Sequence, residues 1–192
     1  AGTLSVPVRM CIALAAGAVI PLAFSPFFAW PLAPLAIALA LHAVHGASAR
    51  VGFVAGYVFG IAMFGVGVGW IHESFQYNNV HGPVVWVLST FFVAFLALFP
   101  AAWGALVARC QTFMGPAYWW LGFAPAIWVL VEWVRGWFLT GFTWLQVGVS
   151  QTDGPAAGLA PLVGAYGLGW FVAATGGALA WLVLASAMHR AS

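Results

Sequence analysis

Residues 83–108, PVVWVLSTFFVAFLALFPAAWGALVA, run without a single ionisable side chain. A helix needs about 20 mainly apolar residues to cross the hydrocarbon core of a bilayer, so this stretch reads as a membrane span. The chain on either side has the same character. Glycine, proline and short polar breaks divide the 192 residues into six candidate helices, about 7–24, 30–45, 51–71, 83–108, 117–138 and 159–187. The first two are short and contain Pro21, Pro31 and Pro34, so a tilted or partly re-entrant hairpin around FSPFFAWP is expected. The expected fold class is an all-α integral membrane protein, a bundle of about six transmembrane helices forming one domain over 1–192.

Composition agrees with that reading. Hydrophobic residues make up 65% of the chain and charged residues 4%, against roughly a quarter charged in ordinary globular domains. The net charge is +2, every basic residue is arginine, and lysine is absent. No basic patch for nucleic acid can be assembled. Arg9 and the apolar run from Met10 to Phe24 imitate a secretory signal, but Phe24 to Trp30 lacks a small-residue cleavage pattern, so a retained first helix is expected.

The arginines give a direction. Arg9, Arg50, Arg109 and Arg190 fall before the first helix and after the second, fourth and sixth, which puts all four on one side of a six-span topology. Cytoplasmic loops collect arginine and lysine, so that side is expected to be cytoplasmic, with both termini there. Cys11 and Cys110 would then lie in a reducing compartment as free thiols. The opposite loops carry His72, Glu73, His81 and Asp153. Those two histidines and Glu73 match no metal-site spacing and no catalytic motif, so no metal or other cofactor is expected and their role stays unassigned. Gly52, Gly56 and Gly60 recur at four-residue spacing, which predicts close approach of another backbone.

Two charges stand against this background. Glu132 and Arg135 lie three residues apart near the outer end of the fifth helix, on one face of it. Charges inside a membrane segment cost a few kcal/mol each and mark functional sites by default. They read either as an ion pair that pins the helix to a neighbour or as a site where Glu132 steadies Arg135 against an anionic lipid group. The long break that follows carries Trp137, Trp144, Gln146, Ser150, Gln151 and Asp153. Its aromatic residues suit the interfacial layer, and its polar ones suit contact with a headgroup or a second domain. Together with Glu132 and Arg135 these form the candidate site.

The blocks FSPFFAWPLAPLA, GVGWIHESF and EWVRGWFLTGFTWLQVGVSQTDGPAAGLAPLVGAYG, in that order, closely resemble the amino-terminal membrane domain of bacterial apolipoprotein N-acyltransferase. This chain departs from the usual family residue at Thr143, Val149 and His72. The resemblance implies acyl transfer from a phospholipid to the α-amino group of a diacylglyceryl-cysteine in lipoprotein maturation, at the bacterial inner membrane. It also implies a nitrilase-like partner domain with a Glu, Lys, Cys triad and a thioester intermediate. With no lysine, this chain cannot form that triad, so no catalytic residue is expected in it and no activity from it alone. The expectation is a membrane portion that gives lipid-anchored substrates lateral access to a catalytic domain outside these 192 residues, as a truncated piece or as the partner of a separate chain. A non-enzymatic lipid-binding scaffold shares all these features, and a small transporter is disfavoured by the lack of further intramembrane polar groups.

Overall fold

The structure is a computed structural model and describes residues 4–80 and 82–190. His81 therefore lies outside the described residues. The elements in order are α1 (Val6–Val19), α2 (Leu32–Val44), α3 (Ala49–Gly67), α4 (Trp70–Tyr77), α5 (Pro83–Leu96), α6 (Leu98–Cys110), α7 (Pro116–Tyr118), α8 (Ala124–Arg135) and α9 (Ala160–Arg190). Short 3₁₀ or π turns extend several of them, and there is no strand among the described residues.

Among the described residues five helical stretches are long and apolar enough to cross a membrane: Val6–Ala23, Ala49–Gly67, Pro83–Phe113, Pro116–Arg135 and Ala157–Ser186. The second expected span is shorter. Helix α2 has 13 residues, about 20 Å at the helical rise, because Pro31 and Pro34 confine its start and His45 leaves the helix in an extended conformation. It is also the most thoroughly buried of the helices, with eight core positions. Protein covers it where lipid would cover a longer span.

Sequence accounts for most of the other boundaries. The expected helix 51–71 stops at Gly67 and restarts as α4 at Trp70, in the glycine-rich run GVGVG. The 83–108 segment bends at Ala97, which caps both α5 and α6, three residues before Pro100 removes a backbone donor. Pro125 does the same in the fifth span, and the turn ahead of it, Trp119–Phe123, widens to a π-helix. In α9 a single residue, Gly164 with φ 64°, breaks helical geometry near the start.

Packing joins the longer helices in a closed circuit, α1 to α3 to α6 to α8 to α9 to α2 and back to α1. Helix α5 lies against α3 and α6, and α4 contacts α5. The tightest seam is α3 on α6. A Cβ at Gly52 would strike the carbonyl of Gly104, one at Gly56 the carbonyl of Pro100, and one at Gly60 the backbone of Ala97. The glycine spacing thus marks a face where two backbones touch. Across the circuit, Trp128 meets Phe59 and Trp103 edge-on at 5.8 and 5.2 Å, and the Trp103 indole donates to the Ala124 carbonyl at 3.1 Å. Trp119 and Trp120 are buried in this core and pack against His45.

The two ends of the bundle differ chemically. At one end, Arg9 donates to the carbonyls of Ala43 and His45. There Gln111 also clasps the α2–α3 turn, accepting from Gly46 N and donating to Ala47 O. The start of α1, the α2–α3 turn and the end of α6 therefore meet, and these segments bring Arg9, Arg50 and Arg109 to one end. The other end is built by the segment 136–157 and the turns it touches.

Candidate functional site

Helix α8 ends on its two charged residues, and both are buried, Glu132 at 5% and Arg135 at 3% exposure. They form a long ion pair, with Nη2 of Arg135 3.9 Å from Oε1 of Glu132. Their shorter contacts go to the backbone of the following loop. Arg135 Nη1 donates to the carbonyls of Phe142 at 2.9 Å and Trp144 at 2.6 Å, and Oε1 of Glu132 accepts from Val147 N at 2.8 Å. The Phe142 N–H returns a bond to the Arg135 carbonyl at 2.9 Å, and the guanidinium carbon sits 5.3 Å from the centroid of the Phe64 ring, a cation–π distance.

That clamp holds a backbone that would not adopt its shape unaided. Leu139, Thr140 and Leu145 all have positive φ, at 49°, 81° and 58°, and such left-handed non-glycine residues cost of order 1–3 kcal/mol each. Gly148 presses so closely on α9 that a Cβ would strike the Ala165 carbonyl. Between them Gln146 is carried inward. In the turn Val147–Gln151, Ser150 Oγ donates to the Val147 carbonyl at 2.7 Å and Gln151 Nε2 donates to Ser150 Oγ at 3.0 Å. Both side chains are buried and shape the turn.

Beside this loop lies a cavity of about 610 Å³, within the ordinary range for small-molecule sites. Three distant segments line it: Pro21–Phe28, the end of α3 with Val66, Gly67, Gly69 and Trp70, and Thr143–Gln146 with Val149 and Thr152. Trp144 closes part of its rim, donating to the Gly67 carbonyl at 3.2 Å and lying 5.3 Å from Trp70. The first segment contains a cis Ser25–Pro26 peptide and exposes Phe27 and Phe28.

Of the eight sequence-predicted site residues, Trp144 and Gln146 line the cavity. Glu132 and Arg135 support it through the loop they clamp, and Ser150 and Gln151 through the turn they fill. Trp137 is exposed and stacks edge-on with Trp133 at 5.5 Å, and Asp153 is exposed; neither reaches the cavity. The sequence reading did not select Phe24, Phe27 and Trp70 as wall residues, although the aromatic density of FSPFF and GVGW was its available signal. His72 contacts Gln76 and Ser89 at 3.1 and 3.4 Å and packs on Trp86. Among the described residues no three His, Cys, Asp or Glu side chains gather into a metal site.

The family model described as the apolipoprotein N-acyltransferase N-terminal domain matches residues 16–178. The chain belongs to that family. Among curated relatives, the apolipoprotein N-acyltransferase of Methylococcus capsulatus is 41% identical over 177 residues, 91% of this chain and 35% of the relative. That of Photobacterium profundum is 37% identical over 186 residues, covering 95% and 34%. That of Pseudomonas paraeruginosa is 44% identical over 173 residues, covering 88% and 33%. The chain spans about a third of the length of these relatives. All three blocks that carried the resemblance contribute to the cavity wall: FSPFF, GVGW and TWLQ.

Proposed function

We propose that the chain is the membrane portion of an apolipoprotein N-acyltransferase, giving lipid-anchored substrates lateral access to a nitrilase-like catalytic domain outside these 192 residues. The reaction served is transfer of an acyl chain from a phospholipid to the α-amino group of a diacylglyceryl-cysteine. The observation that carries this reading is the meeting of three separate family blocks around one cavity, at the end away from Arg9, Arg50 and Arg109.

With those arginines in the cytoplasm, the cavity opens toward the outer face of the bacterial inner membrane, and both termini of this chain lie inside. There both reactants are already tethered in the bilayer. Holding them beside the catalytic domain turns a bimolecular encounter into a local one. Glu132 and Arg135 fix the loop that forms the wall, while Trp137 and Asp153, exposed beside it, are positioned to meet the catalytic domain.

Two measurements test this. In a hybrid where this chain replaces the matching third of the Methylococcus capsulatus relative, Trp144→Ala lowers acyl transfer to a diacylglyceryl peptide about tenfold at unchanged membrane abundance. Unchanged transfer removes the cavity from the reaction. Asp153→Cys is labelled by a membrane-impermeant maleimide in intact spheroplasts; labelling only after permeabilisation inverts the orientation.

A further inference from the structure

The end of the bundle that carries Arg9, Arg50 and Arg109 has a cavity of its own, about 460 Å³ in volume. Its walls come from the α2–α3 turn at 45–48, the turn that follows α6, and the start of the fifth span as far as Trp120. It shares no residue with the cavity at the other end, and the access reading makes no use of it.

This end is positive and has no acid to balance it. The chain has three acidic residues, Glu73, Glu132 and Asp153, and none is on the elements that meet here. Among the described residues the one ion pair is that of Glu132 with Arg135. Arg9 is therefore a cation only 4% exposed with no counter-charge among the described residues, whereas buried charges are ordinarily paired. Its carbonyl partners satisfy N–H groups and leave the charge in place. That charge stands directly behind the cavity wall: Nη1 donates to the His45 carbonyl at 2.7 Å, and Nη2 lies 3.7 Å from where a Cβ of Gly46 would stand. Arg50, two residues beyond Ser48, and Arg109, two before Gln111, are exposed at the same end.

The walls also hold donors without acceptors. Gln111 is fully used, since it accepts from Gly46 N and donates to the carbonyls of Ala47 and Ala108. It builds the wall. Ser48 Oγ accepts from Val51 N at 3.4 Å and keeps its own hydrogen to give. The hydroxyl of Thr112, an exposed residue, makes no hydrogen bond among the described residues. Trp120 is the telling one. It is 2% exposed and lines the cavity. The indole of its neighbour Trp119 donates to the Val107 carbonyl at 3.0 Å, but that of Trp120 makes no hydrogen bond among the described residues and is not among the side-chain nitrogens sealed from solvent. Unspent O–H and N–H donors in a positive field suit the oxygens of a phosphate. Met114, Pro116 and the indole faces add apolar surface that a glycerol backbone can lie on and a free phosphate cannot use. The ammonium of an ethanolamine headgroup finds no acid here, whereas an uncharged glycerol headgroup needs none.

From this we infer that the cavity binds the phosphate of an anionic phospholipid, phosphatidylglycerol in preference to phosphatidylethanolamine, drawn from the leaflet on the arginine side. The inference rests on the orientation proposed above only for the name of that leaflet, the cytoplasmic one.

The test places the 192-residue chain in phosphatidylcholine nanodiscs with a small fraction of phosphatidylglycerol bearing a diazirine on its headgroup, and maps the label by peptide. Label falls on 45–48 and 111–120. Unlabelled phosphatidylglycerol displaces it, phosphatidylethanolamine does so about two- to fivefold less well, the scale of one exposed charge contact, and diacylglycerol does not. Trp120→Phe lowers label on these segments about tenfold, the worth of one hydrogen bond to a charged acceptor. Thr112→Trp fills the cavity from an exposed position, where folding is not at stake, and lowers it at least as much. Label on the other segments is unchanged in both variants.

The inference is overturned by label absent from both segments, by label that survives both variants, or by diacylglycerol competing as well as phosphatidylglycerol. Inorganic phosphate that displaces the probe at millimolar concentration makes a soluble phosphate the ligand and overturns the lipid assignment. Both leaflets of the disc hold the probe, so failure here counts against the site and not against the orientation. Asp153→Cys labelling tests the orientation alone, and an inverted result overturns only the leaflet.

Discussion

Among the described residues two arginines are almost wholly buried, Arg9 at 4% and Arg135 at 3% exposure, and each fastens a chain reversal. Arg9 donates to Ala43 O at 2.6 Å and His45 O at 2.7 Å, with Nε on Leu4 O. Arg135 donates to Phe142 O and Trp144 O. Only Arg135 has an acid beside it. The reason lies in what each reversal leaves unpaired. At the α2–α3 reversal Arg9 meets only the orphan carbonyls of a helix end, because the Gly46 N–H there is taken by the neutral Gln111 side chain, so a cation suffices. An irregular loop presents both polarities, and residues 142–147 use the cation for two carbonyls and Glu132 for the Val147 N–H. The acid serves the backbone as much as it serves its partner.

The largest effect expected from breaking this arrangement is at Arg135. Arg135→Leu leaves Glu132 buried without a counter-charge and two carbonyls unsatisfied, and should cost about 3–5 kcal/mol, measured as a loss of thermal stability in detergent. Removing both charges with Glu132→Leu in the same chain should cost less than the two single changes added together, because no buried charge is stranded. An additive double mutant would mean that the pair does not act as a unit.

Next in size is a change that leaves both arginines alone. Gly56→Val forces a side chain into the Pro100 backbone and should cost about 3 kcal/mol or more through overpacking, with the α3–α6 seam as its site. Arg9→Met should cost about 1.5–3 kcal/mol for hydrogen bonds from a charged donor, measured as thermal stability in detergent, and acyl transfer by the hybrid should be unchanged at equal membrane abundance. Altered transfer at equal abundance would mean that the two ends are coupled. At the bottom of the scale, Asp153→Asn, exposed and outside every contact described, should stay within about 0.5 kcal/mol of the parent.

How much of this could be read beforehand depends on distance along the chain. Apolar length gave the spans, and the glycine spacing gave the α3–α6 contact, because both are local patterns with a direct physical meaning. Pro31 and Pro34 hinted at a short α2 without fixing its length. The π turn before Pro125 was missed, since a proline signals a lost donor but not how the helix will absorb the loss. For the site, three-residue spacing suggested a side-chain pair. A sequence displays side chains and hides carbonyls, so it could not reveal that Arg135 reaches residues seven and nine positions ahead. The cavity was still less accessible, as it joins positions 21–28, 66–70 and 143–152, whose meeting depends on the whole circuit of helices.

The bare seam between α3 and α6 has one more consequence. Since Gly52, Gly56 and Gly60 leave no side-chain layer to slide or compress, those two rods are welded along most of their length and cannot part like a gate. Any opening on this side of the bundle would have to come from parts outside the weld, of which α4, with none of its eight residues buried, is the least held.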